Sequence, residues 1–143
     1  MAKKGDIVFV SVNHRLNILG FLDLSAVNDK YAQSANVGML DIVKALEWVK
    51  ANIEKFGGDP ADVTICGESG GGGKVGTLMC MPSANGLFHK AIIQSGTIIN
   101  NMDKEKSQAL GLAVLETLGI APDEVEKLET IPYLELVKAG NEA

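Results

Sequence analysis

The residues best suited to chemistry are Gly67-Glu68-Ser69-Gly70-Gly71, a Gly-x-Ser-x-Gly pentapeptide. It lies between the apolar run Val63-Thr64-Ile65-Cys66 and the segment Lys74-Val75-Gly76-Thr77-Leu78-Met79-Cys80-Met81. The first run has β character and the second reads as a helix, so Ser69 falls at a strand-to-helix elbow. There its hydroxyl sits at the exposed tip of a sharp turn, and flanking glycines let the backbone reverse without a Cβ clash. Backbone N–H groups opening the next helix point at the same spot and are able to hold a developing oxyanion. The chemistry this predicts is nucleophilic catalysis by a serine hydroxyl.

Two other readings of the glycine run fail on spacing. A phosphate-binding loop ending at Gly73-Lys74 needs a glycine at position 68 and a hydroxyl at position 75, where the chain has Glu68 and Val75. A dinucleotide fingerprint fits at Gly71, Gly73 and Gly76. However, Gly67 to Gly70 separate it from the strand, and no acidic residue ends the next strand near Gln94-Ser95. The plain alternative is a loop serine with no chemistry, which the pentapeptide alone leaves as open as the nucleophile. The strand before it and the helix after it favour the nucleophile.

The elements that must position Ser69 follow from the apolar pattern. Three Val- and Ile-rich runs, Ile7 to Val12, Val63 to Cys66 and Ala91 to Ser95, are apolar nearly throughout. Such runs predict strands of a parallel sheet buried on both faces. A helix is expected from about Val37 to Lys55. Its stripe is Met39, Ile42, Leu46, Val49, Ile53 and Phe56, with Trp48 on or beside it, and Gly57-Gly58-Asp59-Pro60 ends it. Strand alternating with helix points to the α/β class. Leu22 to Ala35 is mixed and polar and reads as a surface excursion. Beyond Gly96 the pattern turns helical, with Leu110, Val114, Leu115 and Leu118 before Gly119, and new helices opening at Pro122 and Pro132.

Composition sets outer bounds. A chain of 143 residues is most simply one domain, long enough to bury roughly two-thirds of its unfolded surface. A formal net charge of -5 without a lysine or arginine cluster argues against nucleic acid as a partner. No apolar run is long enough for a membrane span. Cys66 and Cys80 read as two reduced, largely buried thiols, and neither has a histidine at ligand spacing, so no metal and no cofactor are expected.

Around the elbow, blocks over some ninety residues resemble the type-B carboxylesterase family. They are Val12-Asn13-His14-Arg15-Leu16-Asn17 with Gly20-Phe21-Leu22, Asn36-Val37-Gly38-Met39-Leu40-Asp41, and Ala45-Leu46-Glu47-Trp48-Val49. Asn52-Ile53, Phe56-Gly57-Gly58-Asp59-Pro60, Val63-Thr64-Ile65, Gly67-Glu68-Ser69, and Gly86-Leu87-Phe88-His89-Lys90-Ala91-Ile92 with Gln94-Ser95-Gly96 continue them in family order. The resemblance implies an α/β-hydrolase fold and hydrolysis of small-molecule carboxylic esters through an acyl-enzyme. It makes Ser69 the nucleophile, Gly70 N–H one oxyanion donor and Glu68 the acidic residue before the nucleophile, with Gly67 and Gly71 as the elbow glycines. The family usually has alanine where this chain has Gly70.

In that family the glycine-rich oxyanion loop precedes the strand matched by Ile7 to Val12, and the triad acid and histidine lie well beyond the region matched by the C-terminus. The resemblance therefore implies an internal segment, a single incomplete α/β-hydrolase domain over 1–143, with sheet and elbow in 1–96 and a helical segment in 97–143. Without a base to take its proton a serine hydroxyl is a poor nucleophile, so the isolated segment is expected to be inactive. His89 should enter the sheet at the edge opposite the elbow, which makes it a poor base, and His14 reads as packing. Asp41, Asp59 and Asp62 read as capping and ion-pairing residues, Arg15 being one available partner. A rival expectation is a non-catalytic interaction module, with self-association or complementation through exposed sheet edges. Localisation is left open, cytoplasmic for a soluble chain expressed as given.

Overall fold

The computed structural model describes residues 2–96 and 102–143. The start of the expected helical segment, residues 97–101, lies outside the described residues. The chain forms two compact units, Met1–Asn13 with Met39–Asn101, and His14–Gly38 with Met102–Ala143.

The first unit holds the elbow. After a short helix α1 (Ala2–Gly5) come α3 (Val37–Asn52), β1 (Thr64–Glu68), α4 (Gly70–Cys80) and β2 (Lys90–Gln94). The short α2 (Asn17–Phe21) belongs to the second unit. β1 and β2 pair in parallel, with Ile65 opposite Ala91, Gly67 opposite Ile93 and Glu68 opposite Gln94. α4 connects and packs on both strands, a strand-helix-strand unit of the partial α/β-hydrolase fold. Met39, Val43 and Leu46 of α3, Ile65 of β1, Val75 and Leu78 of α4, and Ala84 and Leu87 form its core.

Three expectations change here. Ile7 to Val12 belongs to no strand among the described residues. A strand needs a partner ladder, and with none present Ile7, Val8, Phe9, Val10 and Val12 are all exposed. The α3 stripe runs through Met39, Val43, Leu46, Val49 and Ile53, but Phe56 is 61% exposed. The helix tightens to a three-residue turn over Ile53–Phe56, which rotates Phe56 off the stripe. Trp48, about two and a half turns beyond Met39, is exposed, and its ring meets that of Phe56, centroids 5.8 Å apart. Gly57, at φ 82°, closes the helix. Cys66 and Cys80 are free, as expected, but exposed rather than buried. Cys66 shares its strand face with Thr64 and Glu68, and Ile65 alone of these neighbours points into the core.

The second unit contains α2, α5 (Lys104–Thr117), a 3₁₀ stretch Pro122–Thr130 and α6 (Tyr133–Glu142). Here the polar segment from Leu22 is not a surface excursion throughout. Leu24 is buried with Leu115, Ile120 and Val125, and Leu22, Val27 and Tyr31 pack on that cluster. A Cβ on Gly111 would lie 1.9 Å from the Asp23 carbonyl oxygen, so α5 needs glycine where this segment crosses it. Asp23 is itself buried and accepts from the Ser25 N–H at 3.0 Å and the Ser25 hydroxyl at 2.6 Å. Burial works to raise its pKa, but hydrogen bonds from Ser25 and Ser107 and the charge of Lys104 bring it below the usual carboxylate value. Lys30 bridges to Glu126 at 3.1 Å and Glu129 at 3.0 Å, tying the same segment to the 3₁₀ stretch. No helix among the described residues is long and apolar enough to cross a membrane.

Candidate active site

Ser69 is the single residue between β1 and α4, and its backbone holds φ 51° and ψ -118°. A positive φ costs a non-glycine residue of order 1–3 kcal/mol and persists only where its surroundings impose it. Two hydrogen bonds do so. The Ser69 N–H donates to the Gln94 carbonyl at 2.8 Å, extending the β1–β2 ladder by one residue, and the Ser69 carbonyl accepts the Gly73 N–H at 3.0 Å, beginning α4. The Ser69 side chain makes no capping hydrogen bond to the helix it precedes. In an ordinary N-cap serine the hydroxyl is committed to the N–H of the second or third helical residue. Here it is turned away from that role and exposed.

The glycines divide into those that geometry requires and those that it does not. A Cβ on Gly67 would come within 2.3 Å of the Gly71 backbone, so the sharp reversal depends on Gly67. Around Gly71 nothing lies within 4 Å, and Gly70 would meet only the Lys74 ammonium at 3.9 Å. The close approaches are instead at Gly72, 3.0 Å from the Gln94 carbonyl oxygen, and at Gly96, 2.0 Å from the Ser69 carbonyl oxygen. These two let the first turn of α4 sit against the end of β2. The expectation that Gly71 leaves room for the turn is thus replaced by Gly72 and Gly96.

Gly70 opens α4, and its N–H is among those without a partner inside the helix, in the position where a helix start presents donors to an anion. Glu68 ends β1 on the exposed face, opposite Gln94. The sequence reading did not single out Ser95. It directly follows β2 as Ser69 follows β1, and it has the same φ of 51°. Because Glu68 pairs with Gln94, the parallel register sets the two serines side by side at the C-terminal edge of the sheet. The signal for Ser95 was available in the Gln94-Ser95-Gly96 block at a strand end, but a positive φ cannot be read from residue types.

His89 is at the other edge. Its Nδ1 accepts the Val63 N–H at 3.1 Å, and its own N–H donates to the Val63 carbonyl at 2.8 Å, before β1 begins. Six residue steps along β1, from Val63 to Ser69, separate this pair from the elbow by about 20 Å. Asp62 there binds Lys90 at 2.6 Å, and that ion pair draws its carboxyl below the usual range. Asp59 accepts the Ala61 N–H at 2.8 Å in the turn after α3. His14 lies in the second unit, with Nε2 buried and without a hydrogen-bond partner. Among the described residues no three His, Cys, Asp or Glu side chains form a group able to hold a metal.

Comparison with known proteins gives one consistent answer. The model of the carboxylesterase family matches residues 1–142. The chain is 44% identical over 142 residues to the para-nitrobenzyl esterase of Bacillus subtilis, covering 99% of this chain and 28% of that protein. It superposes on a carboxylesterase of Geobacillus stearothermophilus with a TM-score of 0.93 and 45% identity, covering 99% of this chain and 30% of that one. An esterase from Clostridium hathewayi, described as able to hydrolyse aliphatic aromatic polyesters, gives a TM-score of 0.89 at 52% identity over 99% of this chain and 29% of its own. The chain thus spans less than a third of the length of these relatives.

Proposed function

This chain belongs to the carboxylesterase family, and from that premise we propose that it carries the nucleophile segment of a serine carboxylesterase that cleaves carboxylic esters through an acyl-enzyme on Ser69. The observation that carries the reading is the Ser69 backbone at φ 51° with a side chain that caps nothing. Ser69 Oγ attacks the ester carbonyl carbon, and its proton passes to a general base. The carbonyl oxygen, now negative, takes a hydrogen bond from Gly70 N–H. Collapse of the tetrahedral intermediate expels the alcohol with a proton, and water then releases the acid by the same steps in reverse roles.

The base and its acidic partner are, on this reading, supplied from outside the 143 residues. His89 is committed to Val63 about 20 Å from the elbow. A hydroxyl without an imidazole in reach keeps only a small part of the rate, so the isolated segment is catalytically silent or nearly so. The test is fluorophosphonate labelling of the full product of the reading frame. Adduct on the Ser69 peptide, lost in Ser69→Ala, is expected, and absence of any Ser69 adduct in that product refutes the reading.

A second reading, an interaction module, is favoured by the exposed apolar residues of the first unit. Ile7, Val8, Phe9 and Val10 are uncovered, as are Ile92 and Ile93 on β2, beside strand edges with no partner among the described residues. We propose that the 143-residue chain alone self-associates, or is complemented by a missing segment, through this surface. Size-exclusion chromatography at rising concentration decides, because a persistent monomer contradicts it.

A further inference from the structure

The connection from α4 to β2 contains the turn Ala84-Asn85-Gly86-Leu87, in which Asn85 holds φ -61° and ψ 129° and Gly86 holds φ 72°. The Leu87 N–H donates to the Ala84 carbonyl at 3.1 Å, which completes a type II turn. Its two ends are fixed, because Ala84 and Leu87 are buried in the core of the first unit. The Asn85 N–H donates to the Pro82 carbonyl at 3.2 Å, and Lys50 Nζ donates to the Gly86 carbonyl at 3.2 Å. These bonds leave out one peptide group, that between Asn85 and Gly86. Among the described residues neither the Asn85 carbonyl, the Gly86 N–H nor the Asn85 side-chain amide has a hydrogen-bond partner, and both residues are exposed. Gly86 has no Cβ to resist a change in φ, and nothing lies within 4 Å of where one would stand. Asn85 is also the only asparagine of the chain that is followed by glycine.

We propose that Asn85-Gly86 is a site of spontaneous covalent modification, where the asparagine closes on the next backbone nitrogen to a succinimide and water opens the ring to aspartate and isoaspartate. At ψ 129° the Gly86 nitrogen lies to one side of Asn85 Cβ, so closure needs this unbonded peptide to rotate, by opposite changes in ψ of Asn85 and φ of Gly86. The Gly86 nitrogen then gives its proton to hydroxide and attacks Asn85 Cγ. A C–N bond forms there, the bond from Cγ to the side-chain nitrogen breaks, and that nitrogen leaves as ammonia with a proton from water. A second water cleaves one of the two ring C–N bonds. Cleavage at Cγ restores the main chain with a carboxylate on residue 85. Cleavage at the main-chain carbonyl carbon routes the chain through Cβ and Cγ, longer by one C–C bond of about 1.5 Å. Because both flanks of the turn are buried, the longer form loosens the packing that Ala84 and Leu87 anchor.

Incubating the full product of the reading frame, folded, in mildly alkaline buffer tests this by peptide mass analysis. Asn85 is expected to convert from amide to acid faster than any other asparagine, and faster still as pH rises. The product should be methylated by an isoaspartyl methyltransferase, and Asn85→Gln, whose ring would be one atom larger, should not convert. An Asn85 that keeps its amide as long as the other asparagines do, or aspartate formed without isoaspartate, overturns the proposal. The packing consequence is read on the isoaspartate form after ion exchange. It is expected to unfold at about 0.5–1 M less urea than the unconverted protein. Asn85→Asp, which gains the charge at normal chain length, should keep the unconverted midpoint. An isoaspartate midpoint equal to that of Asn85→Asp overturns the coupling of this turn to the core.

Discussion

Gly96→Ala is predicted to disable the elbow without touching any group that contacts substrate. A Cβ there would stand 2.0 Å from the Ser69 carbonyl oxygen and 2.8 Å from both Gly72 Cα and Gly73 N. All of these atoms are backbone, so no side chain can swing aside, and the end of β2 and the start of α4 must separate by about 1 Å or more. Overpacking of this kind costs about 1–3 kcal/mol. Moving the Ser69 carbonyl also weakens its bond from Gly73 N–H, now 3.0 Å, for about 1 kcal/mol more. The sum, about 2–4 kcal/mol, lowers the urea midpoint by about 1–2 M at an unchanged slope. A displacement of about 1 Å at the nucleophile should also slow fluorophosphonate labelling of the full reading-frame product about a hundredfold. Gly71→Ala is the matched control, since nothing lies within 4 Å of its new methyl group. Urea unfolding followed by circular dichroism, together with labelling rates, reads both variants. Wild-type midpoint and labelling in Gly96→Ala would refute the close approach on which the elbow geometry depends.

Further outcomes follow from other parts of the structure. Gly70→Ala keeps the N–H and meets only the flexible Lys74 ammonium at 3.9 Å, so it should stabilise the chain by about 0.5–1 kcal/mol with labelling retained, as thermal or urea unfolding will show. Asp23 has a folded pKa below its unfolded value, so its contribution is complete above the unfolded value and is lost as pH falls through the lower folded one. Stability measured against pH should therefore drop on the acid side, below about pH 4, and Asp23→Asn should flatten that drop while costing about 1–3 kcal/mol at neutral pH. Both thiols of the 143-residue chain should react with a disulfide reagent under native conditions, since Cys66 and Cys80 are exposed. Protection of Cys66 until unfolding would show that its face of the sheet is covered.

The legible parts of the fold were those with local causes. The existence of α3, its stop at Gly57, the glycine at 119 and the helix starts at Pro122 and Pro132 are all set within a few residues, and the structure places them as the sequence implies. The misread parts depended on partners far along the chain. Ile7 to Val12 has strand composition, yet a strand exists only when another offers its backbone. Leu24 looks like part of a polar loop until Leu115, Ile120 and Val125 come to meet it. At the elbow the pentapeptide put Ser69 between a strand and a helix, and the structure has it between β1 and α4. The glycines that matter besides Gly67 are Gly72 and Gly96, because a clash with Gln94 or Ser69 backbone arises only once β2 lies beside β1.

The central claim is that Ser69 is the residue acylated by an ester substrate. It is tested most directly by quenching the full product of the reading frame during turnover of para-nitrophenyl acetate and mapping the acetyl group by peptide mass analysis. The account predicts one acetyl group, on the peptide bearing Ser69, with a matching burst of nitrophenol and neither in Ser69→Ala. Acetylation at another residue with turnover intact in Ser69→Ala would contradict it.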